Sequence, residues 1–303
     1  EQSKSFAALP AEVRKLAHDG ERLILTKANS RANIHRPSYL DYVGVKRVDS
    51  QGKVIGEHRF LGLYTANVYN GSPNDIPVVR RKIEQVLARA GYLPGSHKEK
   101  TLQNILETYP RDELFEIPVE TLINISRGIV NLQERQRVRL FVREDVYRRY
   151  LSCLVYVPRD NYNTEVRLKM QAILQQAFGG TSTEYYVTLS ESVLARIEFI
   201  VRIPTGHKPD YDLDELEAQI AQACRRWRDD LAQALLEHFG EEHGTRLLRS
   251  YGDAFPVSYR EDYQARSAVH DLEQIERLRE DGAIAMHLYH DKARADRVHF
   301  KLL

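Results

Sequence analysis

The stretch that decides the fold is YLSCLVYVPRDNYNTEVRLKMQAILQQAFGG, residues 150–180. Its first eight residues, 150–157, are mostly apolar and end at Pro158, which is typical of a buried strand. A polar loop then leads into a helix that the paired glycines Gly179 and Gly180 end. The apolar side chains of this helix recur at helical spacing and form one buried stripe: Val166, Met170, Ile173, Leu174 and Ala177. The stretch therefore predicts a strand, a short loop and an amphipathic helix.

The segments on either side extend this pattern into an α+β module. A strand is predicted at residues 138–142, before the strand at 150–157. TEYYVTLS and LARIEFIVRIP, residues 183–190 and 194–204, alternate as a half-buried hairpin does. Residues 212–240 are predicted to form one long helix. From residue 150 the order is strand, helix, strand, strand, helix, which predicts a ferredoxin-like βαββαβ module whose helices cover one face of an antiparallel sheet.

The rest of the chain divides around this module. Residues 1–33 are interpreted as an entry segment or linker, with a short helix and then a strand candidate at residues 22–27, before a polar stretch. Residues 34–136 are predicted to hold a β-hairpin around the turn at 49–52, then a helical subdomain. Its first strong helix has Asn74 or Asp75 as a candidate cap and Pro77 in its first turn. The module itself is assigned to residues 137–245, and residues 246–303 to a helical linker with the first strands of a following module.

Composition excludes several classes of protein. The chain has 303 residues, of which 42% are hydrophobic and 29% charged, as expected for folded globular domains. Lys and Arg number 44 against 43 Asp and Glu, so no basic excess favours nucleic-acid binding. No apolar run approaches the roughly 18 to 20 residues that span a membrane, and the first residues lack the form of a secretory signal. We therefore expect a cytoplasmic protein that binds neither nucleic acid nor membrane.

No motif of a common enzyme class is present. The sequence contains neither a dinucleotide-binding glycine turn nor a phosphate-binding loop, and it lacks the nucleophile-elbow and zinc-protease motifs. Cys153 and Cys224 are expected to pack as small apolar residues rather than bind metal or form a disulfide. His287 and His290 lie three apart on a predicted strand, so their side chains point to opposite faces. We therefore assign no catalytic residue, cofactor or metal to this segment.

Arg225, Arg226 and Arg228 surround the only tryptophan, Trp227, which could indicate stacking on nucleic-acid bases. However, Trp227 also falls in the apolar stripe of the helix predicted at 212–240. Core packing is therefore the preferred interpretation.

The polar loop after Pro158 is the candidate ligand site. The free amides at the start of the following helix favour an anion by about 0.3 to 1 kcal/mol. An arginine can add a carboxylate contact, and an aspartate can meet an ammonium group. An amino acid would suit this combination, although a simple helix cap would also explain the loop. The residues of this candidate site are Arg159, Asp160, Asn161, Tyr162, Asn163 and Thr164.

Three long segments carry a family resemblance. They are HRPSYLDYVGVKRVDSQGKVIGEHRFLGLYT, SPNDIPVVRRKIEQVLARAGYLPGSHKEKTLQNILETYPRDELFEI and VPRDNYNTEVRLKMQAIL, beginning at residues 35, 72 and 157. They resemble the large bacterial NAD-specific glutamate dehydrogenases. In that family, such segments precede the catalytic domain and contain ACT-type modules, which are small βαββαβ units that bind amino acids or assemble subunits. The resemblance identifies the predicted module as ACT-type and provides no catalytic residue.

The resemblance also implies a function for the parent polypeptide, which is the oxidation of L-glutamate to 2-oxoglutarate and ammonia with NAD. For this segment it implies a non-catalytic role as an amino-acid-sensing regulatory region in a homo-oligomer, in contact with the rest of the same polypeptide. The alternative is a purely structural oligomerisation scaffold. A third hypothesis, that the segment is itself an enzyme, predicts NAD binding or glutamate turnover by the isolated chain.

Overall fold

The computed structural model describes residues 22–34, 37–132, 135, 137–190, 192–281, 286–290 and 298–302. The chain divides into two compact units, residues 1–223 and 224–303. The domain boundaries predicted at residues 33, 136 and 245 stay predictions. The first 21 residues of the predicted entry segment lie outside the described residues.

The first unit begins with a three-stranded antiparallel sheet. Its strands, in spatial order, are β1 (Leu23–Arg31), β2 (Tyr39–Val48) and β3 (Val54–Gly62). The Asp49 carboxylate accepts hydrogen bonds from the amides of Gln51 and Lys53, each at 2.9 Å. Gly52 supplies the left-handed conformation of this turn, with φ of 81°. The hairpin predicted around residues 49–52 is therefore confirmed.

Five helices follow the sheet and build one apolar core. They are α1 (Ala66–Asn70), α2 (Pro77–Arg89), α3 (His97–Thr108), α4 (Arg111–Glu116) and α5 (Val119–Leu132). The predicted cap of α2 is wrong, because Asn74 and Asp75 lie in a separate 3-10 turn capped by Ser72. Ile76 precedes α2 without a side-chain cap. Pro77 lacks a backbone amide, so one fewer donor at this helix start needs a partner.

A four-stranded antiparallel sheet forms the second half of this unit. The sheet order is β4 (Arg139–Glu144), β5 (Tyr150–Pro158), β7 (Leu194–Arg202), β6 (Ser182–Thr188). Helix α6 (Thr164–Ala177) connects β5 to β6, and helix α7 (Leu213–Ala223) follows β7. The predicted fold class, an α+β protein with a ferredoxin-like module, is confirmed.

One strand of this module comes from an unexpected place in the sequence. A ferredoxin-like unit normally ends with a strand that pairs with its first strand. Here β4, which precedes β5, pairs with β5 along residues 139–144 and takes that edge. The short charged turn between the strands allows this pairing, since antiparallel neighbours need only a tight connection. The order is therefore ββαββα rather than the predicted βαββαβ.

The sheet is buried on both faces. Leu154 and Tyr156 of β5 pack into the core formed by α2 to α5, whereas α6 contacts β6 and β7, and α7 contacts β4. The alternate residues of β5 are also buried. Helix α5 approaches β4 so closely that a Cβ on Gly128 would lie 2.6 Å from the Phe141 ring. The prediction of a half-buried hairpin is therefore wrong for β7. The polar residues of β7 lie on the face of the sheet that the helices α2 to α5 cover.

The second unit is mainly helical. It contains α8 (Trp227–Tyr251), α9 (Val257–Asp262), α10 (Ala265–Asp281) and an antiparallel strand pair, β8 (Met286–His290) and β9 (Val298–Leu302). Its core includes residues of α8 and α10, namely Leu231, Leu235, Leu247 and Leu272. Trp227 packs against this core, and its indole Nε1 donates to the Tyr263 carbonyl at 2.8 Å. The core-packing interpretation of Trp227 is confirmed.

The single helix predicted over residues 212–240 is wrong, because it breaks after Ala223. Arg226 is extended, with φ −87° and ψ 146°, and its amide donates to the Asp229 carboxylate at 3.2 Å. This contact starts a new helix at Trp227. Further along, Gly240 has φ of 77° and interrupts α8 at the residue where the predicted helix ends.

Candidate binding site

The predicted ligand loop is a short, mostly exposed connection at one end of the sheet. Arg159–Asn161 form a 3-10 turn, and α6 begins at Thr164. The Asn163 side chain caps this helix, accepting a hydrogen bond from the Val166 amide at 2.9 Å. Arg159 donates from its amide to the Val193 carbonyl at 2.8 Å and from Nη1 to the Ser190 carbonyl at 3.0 Å. Asn163 and Arg159 therefore both have structural partners.

The other residues of the loop differ in exposure. Asp160 and Thr164 are exposed, whereas Asn161 and Tyr162 are half-buried. Burial raises the pKa of the Tyr162 hydroxyl, and the charge of Arg167 opposes this rise. An effector site at this loop stays a prediction.

Replacing Asn163 with alanine tests the structural role of the loop directly. We expect the free energy of unfolding to fall by about 0.5 to 2 kcal/mol, because the amide at the start of α6 loses its side-chain acceptor. Urea unfolding of the chain followed by circular dichroism measures this change. Asp160→Ala, at an exposed neighbouring position, is the control and should change the value by less than about 0.5 kcal/mol. Equal effects of the two substitutions would contradict the capping role.

A network of charged residues lies between α4 and the four-stranded sheet, on the face of the sheet opposite to α6 and α7. Arg143 of β4 donates to Glu113 from Nε at 2.8 Å and from Nη2 at 2.5 Å, and its Nη2 also donates to Glu116 at 2.8 Å. Tyr150 of β5 donates to the same Glu116 carboxylate. Burial opposes the charged form of the guanidinium, but the carboxylates outweigh burial, and the pKa of Arg143 lies well above its usual value. The network ties α4 to the sheet.

A second network connects α4 to the first sheet. Lys27 Nζ lies 2.6 Å from Asp41 Oδ1 and 2.8 Å from Asp112 Oδ2. Asp112 also accepts a hydrogen bond from the Tyr69 hydroxyl at 2.8 Å, and Asp41 accepts one from the Tyr64 amide at 2.7 Å. Burial would lower the pKa of Lys27, but the two carboxylates outweigh it and raise the pKa above its usual value. Asp112 is therefore ion-paired with Lys27 and hydrogen-bonded by Tyr69.

Next to the second network lies a cavity of about 410 Å³, which we call the polar cavity. A void of about 30 Å³, large enough for one water molecule, shares part of its lining. Side chains of the first sheet's connection, α1, α4 and the second sheet line the polar cavity: Pro37, Ser38, Tyr69, Pro110, Arg111, Asp112, Tyr186, Thr188, Arg196 and Glu198. None of the six predicted loop residues is among them.

Glu198 is an acidic residue of the polar cavity, and its carboxyl group has no partner among the described residues. It lies on the central strand β7, and only 9% of its surface is exposed. The described residues offer its carboxyl group no hydrogen bond or ion pair. Burial raises the pKa of Glu198 to about 8, the charges of Glu113 and Asp112 add to the rise, and Arg196 opposes it. The guanidinium of Arg196 donates elsewhere, to the Thr108 carbonyl and the Thr188 hydroxyl.

Arg111 is a basic residue of the polar cavity, and its guanidinium has hydrogen-bond donors without acceptors. It is the first residue of α4, and its Nη2 donates to the Gly71 carbonyl at 3.1 Å. Its Nε and Nη1 are buried and have no partner among the described residues. Burial lowers the pKa of the Arg111 guanidinium, and the charge of Glu107 opposes this effect. The polar cavity thus contains an unpaired acid and a guanidinium with free donors.

We did not predict this cavity from the sequence, although the pattern of charged residues in β7 could have indicated it. Arg196, Glu198 and Arg202 alternate with apolar residues in LARIEFIVRIP. Such alternation is typical of a strand with one face in solvent. The cavity forms because residues more than 80 positions earlier, in α4, cover this face. Charged residues on one face of an otherwise apolar strand could therefore also have indicated a buried polar site.

Other candidate chemistry is sparse in the part of the chain that the structure describes. Cys153 and Cys224 are buried, as predicted, and burial raises the pKa of both thiols, that of Cys224 to about 11. Within the described ranges, no group of three or more metal-ligating side chains is found. His287 and His290 lie in β8, but their side chains are outside the described part. No helix among the described residues is long and apolar enough to cross a membrane.

Comparison with known families matches three consecutive parts of the chain. Residues 76–135 match the helical motif 1 of glutamate dehydrogenase, residues 139–228 its ACT2 domain, and residues 234–278 its helical motif 2. The first match covers α2 to α5, and the second covers the four-stranded sheet with α6 and α7. The polar cavity therefore lies where helical motif 1 meets the ACT2 domain.

Curated relatives match most of the chain. An NAD-specific glutamate dehydrogenase from Halomonas elongata is 49% identical over 87% of this chain. Proteins with the same name from Pseudomonas aeruginosa and Mycobacterium tuberculosis are 42% and 32% identical over 92% and 88% of it. The chain spans only 16 to 17% of the length of these relatives. We conclude that the chain belongs to the NAD-specific glutamate dehydrogenase family and contains its helical motif 1, ACT2 domain and helical motif 2.

Proposed function

We propose that this chain is the non-catalytic regulatory region of an NAD-dependent glutamate dehydrogenase and that its ACT-type module senses an amino acid. The parent enzyme would be a cytoplasmic oxidoreductase that converts L-glutamate, NAD and water to 2-oxoglutarate, ammonia and NADH. The observation that carries the proposal is the ACT2 match over residues 139–228, which coincides with a complete ferredoxin-like sheet. Coupling of about 1 to 3 kcal/mol between an effector and the catalytic region would suffice for regulation.

Thermal unfolding of the chain with the twenty standard L-amino acids tests the proposal. A ligand that binds the folded state at about 100 times its Kd stabilises it by about 2.7 kcal/mol. For a domain of this size, we expect the Tm to rise by about 5 °C or more with at least one amino acid. The same chain should neither bind NAD nor turn over glutamate, and NADH formation by the isolated chain would contradict the proposal.

The alternative function is an oligomerisation scaffold, and the free edge of the sheet favours it. Among the described strands, β6 has β7 as its only neighbour. Its residues Tyr185, Tyr186 and Val187 have exposed fractions of 45%, 51% and 37%. An exposed apolar edge strand can pair with another chain. Sedimentation of the chain in solution separates the alternatives, because self-association without any amino-acid effect would favour the scaffold.

A further inference from the structure

The unpaired groups of the polar cavity need partners that the described residues do not provide. A carboxyl group as buried as that of Glu198 is normally hydrogen-bonded or ion-paired. Arg111 also lines the polar cavity, and two of its donors, Nε and Nη1, are buried without acceptors among the described residues. Both groups belong to regular elements, β7 and α4, so the protein scaffold positions them before any ligand arrives. Their arrangement indicates a ligand that carries an acceptor and a donor together.

The charge of the lining selects among ligand classes. A simple anion would meet Arg111, but it would leave the Glu198 carboxyl group without a partner. A simple cation would leave the Arg111 donors unpaired. A zwitterion satisfies both groups, because its carboxylate can accept from the guanidinium while its ammonium meets Glu198. The lining therefore favours a molecule that carries both charges.

The size and remaining lining of the cavity agree with this class. Its volume of about 410 Å³ lies within the range of about 300 to 1,000 Å³ that small-molecule sites occupy. Pro37 and Pro110 contribute apolar surface, and Tyr69 and Tyr186 contribute rings with polar ends. Such walls can pack against the alkyl part of an α-amino acid while its charged groups contact Arg111 and Glu198.

We propose that the polar cavity binds a free α-amino acid, with its ammonium at Glu198 and its carboxylate at Arg111. This inference rests on the proposed amino-acid sensing and moves the site from the loop at residues 159–164, at one end of the sheet, to the face of the sheet that the helical subdomain covers. The ligand would join helical motif 1, which contributes Arg111, to the ACT2 domain, which contributes Glu198. A bound amino acid would therefore stabilise one arrangement of these two segments.

Isothermal titration calorimetry of the 303-residue chain with each of the twenty standard L-amino acids tests this site. At about pH 8.5, above the raised pKa of Glu198, we expect Glu198→Gln and Arg111→Gln each to raise the Kd of the amino acid that binds wild type at least about 10-fold, because each then removes one charged contact. Arg111→Lys keeps the charge and provides a second variant if Arg111→Gln unfolds. Arg159→Ala, in the predicted loop, is the matched control and should change the Kd less than about 2-fold.

The outcomes separate this inference from the proposed function. If Arg159→Ala abolishes binding while both cavity variants keep the wild-type Kd, the cavity assignment is overturned and amino-acid sensing stands, with the effector at the loop. If wild type binds none of the twenty amino acids, both proposals fail. Amines without the carboxylate and acids without the ammonium should bind at least about 10-fold more weakly than the amino acid itself, and equal binding would overturn the zwitterion assignment.

Discussion

Replacing Arg143 with methionine is expected to lower the free energy of unfolding by about 3 to 5 kcal/mol. The substitution leaves Glu113 and Glu116 buried without their common guanidinium, and removing one partner of a buried ion pair costs about this much. The side chains of Arg143, Glu113 and Glu116 have exposed fractions of 5%, 3% and 7%. Urea unfolding of the chain at pH 7, followed by circular dichroism, measures the loss.

Arg89→Met is the matched control for this prediction. Arg89 of α2 pairs with Glu120 of α5, but the two side chains are 51% and 68% exposed. Because water screens such a pair, its loss should cost less than about 1 kcal/mol. Adding Glu113→Gln and Glu116→Gln to Arg143→Met should recover part of the lost stability, since no buried charge then remains unpaired. A loss of less than about 1 kcal/mol for Arg143→Met would contradict the buried network.

The elements that the sequence predicts well are those with local causes. The strand at Tyr150–Pro158 and the helix at Thr164–Ala177 follow from an apolar run, a capping residue and helical spacing within one stretch. The hairpin turn follows from Asp49 and Gly52, which act over four residues. Because neighbouring residues determine these features, the sequence alone suffices for them.

The features that the sequence does not predict depend on distant residues. The pairing of β4 with the module replaces a closing strand, and no local pattern distinguishes these two topologies. The helix break at Arg226 coincides with a contact from Asp229, although the apolar stripe continues through this point. Local spacing is a weak guide where one side-chain contact decides the backbone.

The polar cavity also depends on residues that are far apart in the sequence, so local patterns do not predict this candidate site. The loop at residues 159–164 is visible in the sequence because its polar residues are consecutive. Glu198 and Arg111 are 87 positions apart and come together only when α4 covers β7. An alternating strand has the same pattern whether its polar face meets solvent or a buried cavity, so the sequence favoured solvent.

Glu198→Gln is expected to remove a large pH dependence of stability. The pKa of Glu198 is raised by burial from an ordinary 4.5 to about 8 in the folded chain. Between these two values the unfolded chain has lost this proton while the folded chain still holds it. The group therefore contributes its full stability below about pH 4.5 and loses it as the pH rises through about 8. At about 1.4 kcal/mol per pKa unit, we expect wild type to lose about 2 to 5 kcal/mol more than Glu198→Gln over this range.

Urea unfolding of both proteins at intervals from pH 5 to pH 9 measures this difference. Glu116, whose pKa burial raises to about 7, contributes a fall of the same sign, and its charge adds to the rise of the Glu198 pKa. The difference between the two curves therefore reports on Glu198 together with its interaction with Glu116. Glu120→Gln, at a side chain that is 68% exposed, should give a curve parallel to that of wild type. If the Glu198→Gln curve is also parallel to wild type, the carboxyl group is already paired or hydrated, and the polar cavity lacks the unpaired acid that an ammonium group would need.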